Sequence, residues 1–480
     1  MNQADLIERI LEIESDTRIL EFKMRRSNIA IWPFIRVHVM FHIYYSLCNM
    51  SDMIDEAQRN HGLWKLFKTF RLLIQSLRKR PLKGSTKDRI VFIASDVYNS
   101  FDSQRKAVNR LYDPLASIFA KDTLILENAY DFEHKSPRAF ENVRYIDSFN
   151  MLAYGRGLLQ SKLQEPCEEI KQFTDYLFQR IESVFPERSD EFAPFVSSLR
   201  SRLFLYDNEM FFLSRSLGRF LHSSKPRMLI VDSASYGFRH LVYVRVAKAL
   251  GIPTAEVQHG FISKGHFSYN FHNNIVNAPV LREYLPDSIL MHGEYWRSRA
   301  NTPARTFVMG NPSLRDVVVK EKKRFDFLFI SQSHVYENLI ELVMELHSRI
   351  GHQKSICYRL HPSESKLMTF FRERFKETTI SIDSDTPIQE LLCESENIVG
   401  VDSTVLWEAL RVTQRIFVYN CIEGQEFYVS NDFGVWFKNV DDLLLKTDNA
   451  YAWNNLEIEQ VWRSDWIQNY REFILTTANP

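Results

Sequence analysis

Short apolar runs that each end in a polar residue recur along this chain, with helical stretches between them, and that alternation restricts it to an α/β fold built on parallel sheets. RIVFIASD (89–96), TLILENA (123–129), RMLIVDS (227–233) and PTAEVQHG (253–260) are rich in β-branched residues and too short to be helices. Runs apolar on both faces suit strands covered by helices above and below. A long helical region is read at about 160–222 and a further helix at 239–250. The same grammar restarts near residue 324 with FDFLFIS (325–331), SICYRL (355–360), TISI (379–382), NIVGV (397–401) and IFVYN (416–420). The expectation is two Rossmann-like, doubly wound α/β domains facing a cleft, with an extra N-terminal helical region. The ranges are 1–86 for the helical region, 87–310 for the first α/β domain and 311–480 for the second, which takes the C-terminal helices. The Trp- and Tyr-rich stretch from Tyr451 to Phe473 reads as helix, with a return onto the first domain as its alternative path.

Composition removes several classes. The 480 residues carry 60 basic and 60 acidic side chains, so no global charge invites nucleic acid. Cys48, Cys167, Cys357, Cys393 and Cys421 are widely spaced and form no CxxC pair, which argues against a zinc knuckle or a disulfide framework and for a reducing cytoplasm. The acidic, amphipathic start MNQADLIERILEIES lacks the layout of a signal peptide. The most apolar stretch, Ile29 to Leu47, is interrupted by Pro33, Arg36, His38 and His42 and makes a poor membrane span; it reads as a buried helix. There is no GxGxxG and no Walker sequence.

One segment stands apart by charge. Across 61–87 the apolar residues Leu63, Leu66, Phe67, Phe70, Ile74 and Leu77 fall on a helical stripe. Lys65, Lys68, Arg71, Arg78, Lys79, Arg80, Lys83 and Lys87 supply positive charge without one acid. With Trp64 on the helix, this pattern suits an anionic membrane surface, reached from the cytoplasmic side by a peripheral protein. The competing reading docks the apolar side on the protein and leaves the cations solvated.

Ligands of open α/β sheets bind beyond the carboxyl ends of the strands, so polar residues there carry the chemistry. Asp402, Ser403 and Thr404 follow a strand and open a helix; their amides and hydroxyls form an anion site, and Glu408 lies one turn in, within reach of ribose hydroxyls. Plain capping is the alternative. Arg359-Leu360-His361-Pro362 ends another strand, and the proline presents His361 to donate to a leaving phosphate. Ser331 and Gln332 stand at a third strand end as contacts for a donor diphosphate or sugar, or as a cap. In the first domain, Asp232 and His259 end successive strands. Asp232 is expected as general base or nucleophile, with an N-cap role as the alternative, and Asp96 and Glu127 as rivals. No metal site is expected. Asp383-Ser384-Asp385 reads as a turn and N-cap rather than a ligand triplet, and the histidines show no paired ligand spacing.

His361-Pro362 after one strand, then Asp402-Ser403-Thr404 leading into WEAL after another, with Gln258-His259-Gly260 in support, resembles the donor domain of capsule-type bacterial GT-B glycosyltransferases. These include the Kdo transferases of capsule assembly and, more distantly, bacterial sialyltransferases and CDP-glycerol glycerophosphotransferases. The resemblance is carried best by residues 325–420. It implies a cytidine nucleotide on the second domain and a glycan or lipid-linked acceptor on the first. It places His361 on the donor phosphate, Ser403 and Thr404 on phosphate or nucleotide, and Asp232 as the acidic catalytic group. The leading expectation is metal-independent transfer of an acidic ulosonic sugar from a CMP donor to a bacterial surface polysaccharide. The alternatives are a CDP-polyol phosphotransferase, a sugar-nucleotide epimerase and a non-catalytic assembly scaffold.

Overall fold

The computed structural model describes residues 3–48, 63–81, 87–163, 167–314, 322–421, 432–448 and 456–478. Two compact units emerge. The first takes Met1–His259, Lys264–Ser313 and Arg463–Pro480, and the second Gly260–Ser263 and Leu314–Trp462.

The first unit is built on β1 (Ile90–Ser95), β4 (Thr123–Asn128), β5 (Val143–Tyr145), β6 (Met228–Val231), β7 (Thr254–Val257), β8 (Ser288–Met291) and β9 (Arg305–Val308). All neighbours are parallel, in the order β5-β4-β1-β6-β7-β8-β9. Between β1 and β4 lies a small antiparallel ribbon of β2 (Asn99–Phe101) and β3 (Ala107–Asn109). The second unit holds β10 (Phe325–Ile330), β11 (Ile356–Arg359), β12 (Ser381–Asp383), β13 (Ser395–Gly400), β14 (Ile416–Tyr419) and β15 (Val435–Phe437), all parallel, in the order β12-β11-β10-β13-β14-β15. Counted by their own succession, both sheets run third, second, first, fourth, fifth, sixth, and the first unit adds a seventh strand. That is the Rossmann order, and its direction reverses between the first and fourth strands.

The N-terminal 86 residues are not a separate layer; they belong to the first unit. Helix Ile31–Leu47 is apolar nearly all round, and 11 of its residues are buried, the state expected of a helix without a polar face. Gly237 sits against it at φ 87°, where an added Cβ would lie 2.7 Å from the Phe34 carbonyl oxygen, so only glycine fits. Helix Leu63–Arg78 turns Leu72 and Ser76 inward, and Ser76 Oγ accepts the Ser148 amide at 2.8 Å. Of the expected stripe, Phe67 (67% exposed), Phe70 (61%) and Leu77 (40%) face solvent. The side chains of Trp64 and Lys65 lie outside the described residues. Arg71 pairs with Glu133 at 3.1 Å and Lys79 lies over the Tyr145 ring, so these two cations also serve the protein itself. Among the described residues no helix is long and apolar enough to cross a membrane.

Two further departures from the sequence reading have local causes. The helical region expected at about 160–222 holds helices Glu168–Val184 and Ser189–Ser224, and an unanticipated helix, Asp147–Ser161, precedes it. The C-terminal helix Trp466–Thr477, assigned with the second domain, returns to the first, where Tyr470, Phe473 and Ile474 join the core beside Tyr112 and Leu115.

Candidate functional site

At the switch point of the first sheet, Asp232 follows β6 directly beside the end of β1. Its carboxylate accepts from the Ser95 amide (3.2 Å), the Tyr112 hydroxyl (2.9 Å) and the Ser233 hydroxyl (2.9 Å). It does not cap a helix: helix Phe238–Ala249 starts at Gly237 without a side-chain cap. The loop between is strained, with Ser233 at φ 51° and Phe238 at φ 50°, conformations that cost side-chain-bearing residues on the order of 1 kcal/mol each and cluster at functional sites.

His259, two residues past β7, is brought to the same edge. Burial lowers its pKa, and Asp232 lies close enough to oppose that shift. Its ring is 6.0 Å from Tyr98 and 5.3 Å from Tyr236, centroid to centroid, and among the described residues its Nδ1 has no hydrogen-bond partner. His292, which follows β8, completes a row of three adjacent strand ends; burial pushes its imidazole down to about 3, and His259 adds to the shift. The Gln258 side chain accepts the His292 amide at 2.8 Å. Beneath this row, Glu256 is fully buried within β7 and accepts from the Ser235 amide (3.0 Å), the Ser235 hydroxyl (2.5 Å) and the Tyr269 hydroxyl (2.8 Å). Burial raises its pKa to about 7.

The rivals serve other ends. Glu127 is locked among His134 (3.1 Å), Arg138 (3.0 Å) and Asn99 (3.0 Å) inside the unit. Asp96 accepts the Tyr130 amide at 2.6 Å, and burial raises it to about 6.

In the second unit the switch point lies between β10 and β13. Asp402, just past β13, is buried and bonds His334 Nε2 through Oδ2 at 3.0 Å, while its amide donates to Gln332 Oε1 at 3.1 Å. Burial alone would lower His334; the hydrogen bond and charge of Asp402 outweigh it and hold the imidazole above its ordinary value. His361 stands on the neighbouring strand end, exposed, with Nδ1 2.7 Å from Ser363 Oγ. Desolvation and then the charge of His334 lower its pKa. Two imidazoles whose pKa values are shifted in opposite directions therefore share this edge, donor types suited to an anionic ligand. The Pro362 side chain lies outside the described residues.

Several expected donor contacts are already spent. Ser331 is 1% exposed and bonds Tyr358 and Glu364, both at 3.0 Å, because it turns into the core rather than out of the sheet. Arg359 pairs with Asp383 on the adjoining strand. Asp383 also accepts the Thr386 hydroxyl at 2.5 Å, so the DxD segment is a turn; helix Ile388–Glu394 has no side-chain cap from it. Glu408 accepts from Gln389 at 3.2 Å. Ser403 Oγ takes the Val405 amide at 3.3 Å as an N-cap, and its helix, Thr404–Ala409, has six residues, too few for a strong dipole. Thr404 is half-buried at its start. The polar groups that this edge presents thus include the His334 imidazole, paired with Asp402, and not only the helix end. His334, Glu256 and His292 were not among the sequence candidates. His334 follows Ser333 directly, and Glu256 was visible as an acid inside an apolar strand.

No protein family and no curated protein matches this chain by sequence. Solved structures do align at low similarity. UDP-GlcNAc 2-epimerase from Methanocaldococcus jannaschii is 13% identical, with 81% of this chain and 99% of that one covered and a TM-score of 0.41. The glycosyltransferase SsfS6 of Streptomyces sp. SF2575 is 14% identical over 81% and 95%, with a TM-score of 0.36. The glycosyltransferase SnogD of Streptomyces nogalater is 11% identical over 82% and 95%, with a TM-score of 0.39.

Proposed function

We propose that this chain is a metal-independent glycosyltransferase of the GT-B type that uses a nucleotide sugar. The observation that carries this is the placement of titratable groups at the switch points of two Rossmann sheets: Asp232 with His259 in one, His334–Asp402 with His361 in the other. In this reading the second unit binds the nucleotide. Asp232 takes the proton of an acceptor hydroxyl, the acceptor oxygen bonds to the anomeric carbon, and the carbon–oxygen bond to the donor phosphate breaks. The phosphate leaves with the electron pair, and His334 and His361 are the side chains of the right type to donate hydrogen bonds to it in place of a metal. The resemblance in the His361-Pro362 and Asp402-Ser403-Thr404 segments favours a CMP donor carrying an acidic sugar, and a glycan or lipid-linked acceptor at an anionic membrane surface.

A thermal-shift panel of CMP, CDP, UDP, GDP and ADP, with and without chelator, tests the reading. A nucleotide at a hundredfold excess over its Kd stabilises by about 2.7 kcal/mol. CMP is expected to give the largest shift, unchanged by EDTA. No shift with any nucleotide would remove the transferase reading, and a shift confined to UDP would replace the donor.

A further inference from the structure

The first unit carries two adjoining surface grooves that are cationic and apolar. One, of about 710 Å³, lies between the end of helix Leu63–Arg78, helix Asp147–Ser161 and the last turns of helix Ser189–Ser224. Arg80, Arg156 and Arg219 line it together with Leu77, Leu152 and Phe220, and no Asp or Glu does. Arg219 donates from Nε to the Arg215 carbonyl at 3.3 Å. Arg219 also borders the second groove, of about 870 Å³, lined by His222, Arg245, Lys248, Arg282 and the acid Glu283; Lys248 pairs with Asp287 at 2.7 Å.

The apolar walls do not stop at the groove. Leu152 is 45% exposed and Leu159 66% on one bordering helix, and Phe67 and Phe70 are exposed on the other. Large apolar side chains exposed together mark a contact surface. Guanidinium groups pair with phosphate in a planar fork and are weakly hydrated, so they remain effective beside apolar walls. A soluble phosphate ester would satisfy the arginines and leave Leu77 and Leu152 in water. An apolar partner would strand three cations.

We propose that this face binds an anionic phospholipid of a bilayer, with the headgroup phosphate on Arg80, Arg156 and Arg219 and an acyl chain along Leu77 and Leu152. The proposal rests on the membrane part of the function above, not on its transferase chemistry. It moves the contact from the cations of one helix to a groove shared by three.

Flotation of the full chain with phosphatidylcholine vesicles, with and without phosphatidylglycerol, at physiological salt tests it. The protein is expected to float only with phosphatidylglycerol. Arg156→Gln with Arg219→Gln is expected to weaken that binding about thirty-fold, from the usual contribution of a surface cation. Leu152→Ser, at an exposed position, weakens it several-fold without loss of folding. Short-chain phosphatidylglycerol should bind far more tightly than glycerol phosphate. A parent protein that does not float, or floats equally without phosphatidylglycerol, overturns the membrane reading and this one together. A parent that floats while the groove variants float equally well overturns the groove alone. Equal affinity for glycerol phosphate would make the groove a small-anion site, and a solution dimer dissolved by Leu152→Ser would give it to a second copy; either result overturns the proposal.

Discussion

Asp232 is held by three donors, so replacing it with Asn changes hydrogen bonding as well as charge. Asn presents one oxygen and one NH₂ where the carboxylate presented two acceptors, and one of the Ser95 amide and the Tyr112 hydroxyl loses its partner. That orphaned donor costs about 1–3 kcal/mol of stability. Asp232→Asn is therefore expected to lower the melting temperature modestly, abolish sugar transfer, and leave CMP affinity within a few-fold in titration calorimetry. Full activity would move the base role to His259 or Glu256. The residue was legible because it ends an apolar run. Its partners were not: Tyr112 lies 120 residues away and reaches it only once β1 and β6 pair. His292 was hidden for a related reason. Its strand, Ser288–Met291, has four residues and follows a short proline-started helix, so no periodicity announced it. In the second unit, Ser331 and Gln332 stand at the strand end two residues short of His334, whose imidazole meets Asp402 only through the fold.

At the scale of elements, strands inside longer apolar runs were readable, even the short edge strand β12 within TISI, and several others were not. β5 and β15 have three residues each, and β9 is half-exposed, too little pattern to separate from loop. The N-terminal segment was illegible for another reason: its organising contact is a buried ion pair between distant residues. Arg36 is 1% exposed and meets Glu14 Oε2 at 2.5 Å and Oε1 at 2.7 Å. It also donates to the carbonyls of Phe267 and Asn270, while Glu14 accepts from Trp32 (2.9 Å) and the His272 amide (2.9 Å). The pair thereby ties helix Ile31–Leu47 to the 266–272 segment, whose Tyr269 supports Glu256. In the sequence Arg36 counted only as an interruption of an apolar run. Arg36→Met fills similar volume but leaves Glu14 charged and buried, which costs about 3–5 kcal/mol. Urea unfolding is expected to report a loss of that size. A loss below 1 kcal/mol would mean that the network is dispensable and that packing alone holds the segment.

At the scale of the whole chain, the two Rossmann orders follow from the sequence grammar, but the path of the chain does not. The first unit is assembled from three stretches, and the last, Arg463–Pro480, arrives only after the second unit is complete. Its helix lodges Tyr470 (0% exposed), Phe473 (2%) and Ile474 (1%) among Ile90, Leu115 and Ile125 of the first sheet's core. Gly310, at φ 106°, lets the return pass close, since an added Cβ would lie 2.5 Å from the Arg463 carbonyl oxygen. The segment 451–473 reads by composition as one more amphipathic helix, and an amphipathic face does not say which core it covers. The topology makes a directional claim about stability: damage to the C-terminal helix should loosen the N-terminal sheet and spare the nearer one. Phe473→Ala removes a buried ring and should cost about 3–5 kcal/mol. In hydrogen exchange read by mass spectrometry, protection is expected to fall across β1 and β4 while β10, β11 and β13 keep theirs. Loss of protection in β10–β13 with β1 unchanged would place the helix on the second unit, and an even loss across both would mean that the two units unfold as one cooperative block.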